Sequence, residues 1–400
     1  MKGNRLPMTR YNGLVVVPNL SFYKLAPIIL LLPYLCLVAT VCYVRTSGMR
    51  TTILLSTCFP VSLIVYKTTP SLIIALKKGG FCNINLNAED GAPKVPEPGS
   101  LWACTIYLLH VTILVAFSEK YSVINLFSGA ILGIGIMTLL GLIDDMIPLR
   151  YFTKISAPAL AMTPVFMAIG FTDVQSMPEF TSKLFGLNIR YTWIYCIIKI
   201  LLTIFFVNAI NIHAGINGLE IGQSIIIALF LVLHSCIEIA KFRLAPDVTS
   251  MESVDKHLMS LMLLLPFLSV NLGLICYNWY PASTFVGNIY TSMAGTLFAV
   301  VGLVCECSLL MLLLFIPQLI NFVVSIPQLI GILPCPRFRA PRYNAGTGLL
   351  EHTSHYTLLN MLLRALGPMS EQKLSFICLV AQVLCCFIGL SAYHCLIMRI

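Results

Sequence analysis

Apolar stretches long enough to cross a bilayer recur from one end of this 400-residue chain to the other. They stand near 25–43, 52–76, 100–118, 123–143, 155–171, 191–210, 221–239, 258–280, 290–304, 307–330 and 374–397. About 20 such residues in a helix span the hydrocarbon core. A backbone in lipid must satisfy its own hydrogen bonds, and a helix does so within one segment. The expected fold is therefore all-α, a polytopic transmembrane helical bundle of about ten to eleven spans. Charge supports this: only 10% of residues are charged and 58% are apolar, whereas a soluble domain carries about 25% charged residues. The net charge of +9 is spread thinly, with no basic block. It reads as loop charge at the membrane surface, and nucleic acid is not an expected partner.

The run at 25–43 is long, starts deep in the chain and has no small-residue cleavage site before Arg45, so it reads as an anchor and not as a signal peptide. No internal repeat or low-complexity linker divides the chain. Fifteen cysteines are present, most of them inside apolar runs and without a metal-like C-x-x-C pair. They read as small buried hydrophobes. With the N-terminus in the cytosol, the cytosolic segments carry about thirteen Lys and Arg against about nine on the other side, a modest bias that favours this orientation.

Three polar clusters fall on that same face. Gly141-Leu142-Ile143-Asp144-Asp145, followed by Arg150 and Lys154, puts two carboxylates where an apolar helix meets water. Adjacent acids repel, so a cation should lie close, either Mg²⁺ or a lysine such as Lys154. A plain interfacial charge pair is the other explanation. The second cluster runs from Asn208 to Glu220 and interrupts a greasy helix with Asn208, Asn211, His213, Gly215, Asn217 and Gly218. Asn208 and Asn211 share a helical face, and amides suit a base, a sugar or Mg²⁺; an ordinary Asn-Gly turn would look similar. The third is Pro334-Cys335-Pro336-Arg337-Phe338-Arg339-Ala340-Pro341-Arg342. In an extended segment Arg337 and Arg339 lie on one side and could grip an anion, or they could simply flank a span. Phe285-Val286-Gly287-Asn288 and Pro96-Glu97-Pro98-Gly99-Ser100 say little alone.

Together these stretches resemble one family. NAINIHAGINGLEIGQS from Asn208, PQLINFVVSIPQLIGILPCPRFRAPR from Pro317, FVGNIYTSMAGTLFAVVG from Phe285, GLIDDMIPLRYFTK from Gly141 and LGPMSEQKLS near the C-terminus are similar to the eukaryotic UDP-GlcNAc:dolichyl-phosphate GlcNAc-1-phosphotransferases. These belong to the polyprenyl-phosphate sugar-1-phosphate transferase superfamily. The resemblance starts near residue 52. It leaves 1–51, with the 25–43 span, as an N-terminal extension to a transferase-like membrane domain at 52–400.

The resemblance implies an endoplasmic reticulum membrane protein with many spans and an active site facing the cytosol. It implies transfer of GlcNAc-1-phosphate from UDP-GlcNAc to dolichyl phosphate with Mg²⁺ as cofactor, in the lipid bilayer, with a homodimer kept as an option. Residue by residue, Asn211 and Asn288 stand at metal-ligand positions. Asp144, Asp145 and Lys154 stand at catalytic ones. Glu97, Asn208, Asn217, Arg337 and Arg339 stand at substrate-binding ones.

This chain also departs from the family pattern. Asn288 stands for an aspartate and Phe338 for a histidine. Ala88 replaces the lysine of a DLNK pattern, Pro98 replaces the serine of PES, and His213 replaces a leucine. An active transferase is the favoured expectation, and a catalytically impaired paralogue serving as scaffold or regulator is the alternative. A transporter ranks below both, because the polar residues collect at one face instead of the midplane.

Overall fold

The computed structural model describes residues 9–11, 14–16, 49–89, 91–116, 121–169, 192–244, 251–334 and 339–397. The 25–43 span, Arg337 and Phe338 lie outside the described residues. The described chain is helical almost throughout. In order come α1 Met49–Gly79, α2 Leu101–Ala116, α3 Tyr121–Met146, α4 Tyr151–Ala161, α5 Thr163–Ile169, α6 Thr192–Ile212 and α7 Leu219–Leu244. They are followed by α8 Met251–Asn278, α9 Asn288–Val304, α10 Ser308–Leu314, α11 Ile316–Leu329, α12 Leu358–Leu366 and α13 Glu371–Ile397. Three two-stranded antiparallel hairpins decorate the loops: β1 Thr9–Tyr11 with β2 Leu14–Val16, β3 Cys82–Asn83 with β4 Val95–Pro96, and β5 Arg342–Asn344 with β6 Leu349–Glu351.

The all-α polytopic expectation is met. Each apolar run between 52 and 397 coincides with a helix or a broken helix. Six of the described helical stretches are long and apolar enough to cross a membrane, or seven if the bent pair α10–α11 is one span. Leu101–Ala116, Cys196–Ile212 and Asn288–Val304 are shorter apolar helices. The run read as 155–171 is α4 and α5 in succession, and the run read as 307–330 is bent by 75° between Leu314 and Ile316. The boundary drawn at residue 51 falls in the first turn of α1.

α8 and α9 form the centre. From His257 onward nearly every side chain of α8 is buried, as are almost all those of α9. A helix apolar on all sides belongs inside a bundle. Phe267, Phe298, Phe315 and Phe206 meet there edge to face, with centroids 5.0–5.7 Å apart, an arrangement that the ring quadrupoles favour. At one end of α9 the packing is backbone to backbone. A Cβ on Gly141 of α3 would stand 2.4 Å from the Asn288 carbonyl oxygen and 2.7 Å from Ile289 Cα. Small residues permit such approaches in membranes, where apolar burial against lipid gives little drive.

The bend between α10 and α11 leaves helix carbonyls without partners, and buried amides supply donors. Gln382 Nε2 donates to Leu314 O at 2.8 Å. Gln318 Nε2 donates to both Gln382 Oε1 and Gln223 Oε1, and Gln223 Nε2 donates to His213 O at 2.7 Å. All three glutamines are buried. Asn321 Nδ2 reaches Ile212 O at 2.9 Å, while Asn321 Oδ1 accepts from Leu358 N at 2.8 Å. These bonds tie α6, α7, α11, α12 and α13 together at the end of the bundle where the polar clusters lie.

Candidate active site

Asp145, in the last turn of α3, accepts the backbone N–H of Asn288 at 2.6 Å and of Ile289 at 3.0 Å. It therefore caps the N-terminus of α9 from another helix, meeting orphan N–H groups and the positive end of the helix dipole. The preceding Gly287 has φ +81, and a Cβ there would stand 2.5 Å from Asp145 Oδ2 and 2.6 Å from Pro98 Cβ. Only glycine accepts both that backbone and that crowding.

Asp144 points elsewhere. Its Oδ2 lies 2.7 Å from Lys154 Nζ, and Oδ1 accepts from Leu149 N at 2.8 Å. Lysine, one of the two cations considered for the acid pair, is seated on Asp144. Asn208 Nδ2 donates to Ile204 O at 2.8 Å and to Lys154 O at 3.4 Å. One turn further on, Asn211 Nδ2 donates to Asn288 Oδ1 at 2.9 Å. A circuit closes through Lys154, Asp144, Asp145, Asn288, Asn211 and Asn208, built from the ends of α3, α4, α6 and α9.

The Pro96–Ser100 segment is more than a turn, since it lies along 284–286. Phe285 N donates to Pro96 O at 2.9 Å, Gly99 N to Phe285 O at 2.8 Å and Ser100 Oγ to Val286 O at 2.6 Å. Glu97 is held there with Asn83 Nδ2 donating to its Oε2. Burial pushes the Glu97 carboxyl above its ordinary range, and the Asn83 amide offsets part of that rise.

Asn217 is buried. Its backbone N–H donates to Glu371 Oε1 at 2.8 Å and its Nδ2 to Glu371 Oε2 at 3.4 Å. Asn87 Nδ2 donates to the same Glu371 Oε1 at 2.9 Å and to Gly215 O at 2.8 Å. Glu371, which the sequence reading did not single out, thus joins α13, the 213–218 loop and the segment before β4. Its one visible signal was an acid three residues before the final apolar run. His213 is buried beside this loop, and burial holds its ring down at about 4, so it is neutral at pH 7.

Arg339 is tied to α12 through its carbonyl, which accepts from Asn360 Nδ2 at 3.2 Å. Its Nη1 is buried with no hydrogen-bond partner among the described residues. A buried guanidinium nitrogen without an acceptor is costly, and an anion would relieve that cost. Asn321 links the Asn211 end of α6 to the start of α12, and thus to the arginine segment.

A profile of glycosyl transferase family 4 matches residues 127–306, which hold the whole circuit. The UDP-N-acetylglucosamine–dolichyl-phosphate N-acetylglucosaminephosphotransferase of Dictyostelium discoideum is 36% identical over 361 residues, covering 84% of this chain and 87% of that protein. The chain belongs to this phosphotransferase family. Two further members of the same name are similar to it. That of Saccharomyces cerevisiae is 32% identical over 386 residues, with 77% of this chain and 84% of the relative covered. That of Leishmania amazonensis is 34% identical over 321 residues, with 65% and 69% covered.

The donor chemistry of the circuit allows a test for a divalent ion. Asn211 and Asn288 each carry a hard amide oxygen of the kind Mg²⁺ prefers, although Asn211 turns its Nδ2, not its oxygen, toward Asn288 Oδ1. Neither brings charge. Asp144 is engaged by Lys154, and both Asp145 oxygens are engaged by α9. The set fits a Mg²⁺ that draws its charge and remaining ligands from a bound diphosphate, not one held in a preformed protein cage.

Proposed function

We infer that this chain transfers GlcNAc-1-phosphate from UDP-GlcNAc to dolichyl phosphate, giving GlcNAc-PP-dolichol and UMP, the first step of lipid-linked oligosaccharide synthesis for N-glycosylation. It works in the endoplasmic reticulum membrane with the site facing the cytosol and with Mg²⁺. The observation that carries this reading is the circuit from Lys154 to Asn208 at one end of the bundle, in a chain 36% identical to a protein of that name. A nucleotide sugar arriving from water and a phosphate anchored in lipid meet at the membrane edge. Both are anions, and cations with aligned donors are what each requires there.

In the reaction an oxygen of the lipid phosphate bonds to the β-phosphorus of UDP-GlcNAc. The bond from that phosphorus to the bridging oxygen breaks, and its electron pair leaves with UMP. The protein positions the groups and neutralises charge, with little covalent work. Asp144 holds the Lys154 ammonium in place for a phosphate. Arg337 and Arg339 grip the diphosphate, with the unpartnered Nη1 of Arg339 as donor. Glu97, Asn208 and Asn217 bind the nucleotide sugar. Asp145 fixes the start of α9 and so keeps Asn288 beside Asn211. Asn211 and Asn288 would hold Mg²⁺, which supplies charge neutralisation at the diphosphate.

One observation favours a second reading, a catalytically impaired paralogue acting as scaffold or regulator. The nearby amides are paired with each other and Asp144 and Asp145 are engaged, so among these residues neither carboxylate is left free for a metal. Purified protein with UDP-GlcNAc, dolichyl phosphate and Mg²⁺ decides between the two. Formation of GlcNAc-PP-dolichol and UMP in equal amounts is the expected result. A folded protein that binds UDP-GlcNAc yet yields neither product would move the assignment to the second reading.

A further inference from the structure

A second constellation lies far from the circuit. α7 starts beside the 213–218 loop and α13 starts at Glu371. At 1.5 Å per residue, His234 lies about 22 Å along α7 and His394 about 34 Å along α13. Both therefore stand toward the opposite end of the bundle, where the transfer reaction has no use for them. His234 and Glu238, four residues apart, share one face of α7, and His394 comes from α13. His234 Nδ1 and His394 Nε2 are 3.3 Å apart, while the other ring nitrogen of His394, Nδ1, faces Glu238 Oε1 at 3.6 Å, so the ring offers an ion one nitrogen of the two. One ligand atom from each residue lies within 4.8 Å of the others. Zinc–nitrogen bonds of about 2.0–2.1 Å in a tetrahedron put neighbouring donors about 3.3–3.4 Å apart, the separation of the two histidines.

Two further groups border the cluster. Lys241 Nζ is 2.7 Å from Glu238 Oε1 and 3.4 Å from His394 Nδ1, so one cation already sits on the carboxylate. His257, from α8, has its ring centroid 5.3 Å from that of His234. It is 6% exposed, and its Nδ1 has no hydrogen-bond partner among the described residues. The Lys–Glu–His hydrogen bonds account for part of the cluster but leave this third imidazole unexplained.

We propose that His234, Glu238 and His394 form a binding site for a zinc-class divalent ion, which exchanges with the Lys241 ammonium for Glu238. Imidazole and carboxylate ligands in this number suit zinc or a similar ion over Mg²⁺. The ion joins α7 to α13 and so fastens the last helix to the bundle. The proposal is independent of the transfer reading, in which Asn211 and Asn288 would hold Mg²⁺ at the other end.

The test uses the full chain in detergent, titrated with Co²⁺ as a visible stand-in and with Zn²⁺ in a thermal shift. Wild type should show saturable visible bands of a tetrahedral cobalt site without the near-ultraviolet thiolate band that the cysteines would give. Zn²⁺ should raise its melting temperature. His234→Ala and His394→Ala should each weaken binding by at least the roughly 10–100-fold that loss of even an outer-sphere partner costs. Lys241→Met should bind more tightly, because a competing cation is gone. No saturable site in either wild type or Lys241→Met overturns the proposal, even if the histidine variants fail to fold. So does undiminished binding in the double histidine variant, or a spectrum dominated by thiolate.

Discussion

Asn288 carries two separate tasks. Its backbone N–H is gripped by Asp145 and its side-chain oxygen meets Asn211. Asn288→Asp keeps the first and adds a charge to the second. The Mg²⁺ concentration needed for half-maximal UDP-GlcNAc binding should fall by about tenfold, equivalent to 1.4 kcal/mol, because hard divalent ions favour carboxylates. An unchanged Mg²⁺ dependence would show that position 288 does not face the metal.

His213 allows a pH prediction. Its ring is free to protonate in the unfolded chain near 6.5, and in the fold only at about 4. Its contribution to stability is therefore complete above pH 6.5 and is lost as pH falls toward 4. The shift corresponds to on the order of 3 kcal/mol. His213→Leu should flatten melting temperature against pH across that window. Parallel curves for wild type and variant would contradict the assignment. The sequence exposed His213 as an intruder in an apolar segment, but its burial depends on packing that no local pattern records.

At the scale of elements, the length of the apolar runs was enough to find the long helices but not α12, which lies between the last two runs. The break at Phe315 hides inside a continuous apolar run. Glu371 was missed for a related reason, because its partners Asn87 and Asn217 lie far away in sequence and meet it only once α13 has packed. The glutamine ladder of Gln223, Gln318 and Gln382 is equally remote. By contrast, Asp144, Lys154, Asn208 and Asn211 stood out as polar residues at apolar helix ends, whereas Asn288 was singled out only by the family resemblance. Glu371→Ala removes the acceptor for one buried backbone N–H and two amides. Each buried donor left unsatisfied costs about 1–3 kcal/mol, so the melting temperature and the affinity for UDP-GlcNAc should both drop. Glu371→Gln, which keeps one acceptor oxygen, should lose less. Equal losses in the two variants would argue against the hydrogen-bond account.

For the whole molecule, one site demands one side. Single cysteines placed at Arg150 and Arg342, on a background cleared of reactive native cysteines, should react alike with an impermeant thiol reagent in sealed microsomes. A cysteine replacing Glu306, whose loop caps the other end of α9, should react only after the membrane is opened. Opposite labelling of Arg150 and Arg342 would dismantle the single-site arrangement.

The way Asp145 holds α9 has a consequence for how such a protein can change over time. The grip is on main-chain N–H groups, which every residue except proline possesses. That grip is therefore indifferent to the side chain at 288, while the proposed Mg²⁺ contact depends on it. A lineage could exchange aspartate for asparagine there, or reverse the exchange, in one step and keep the main-chain grip of Asp145 on α9. The site can gain or lose its charge as a heritable setting, without the architecture registering the difference.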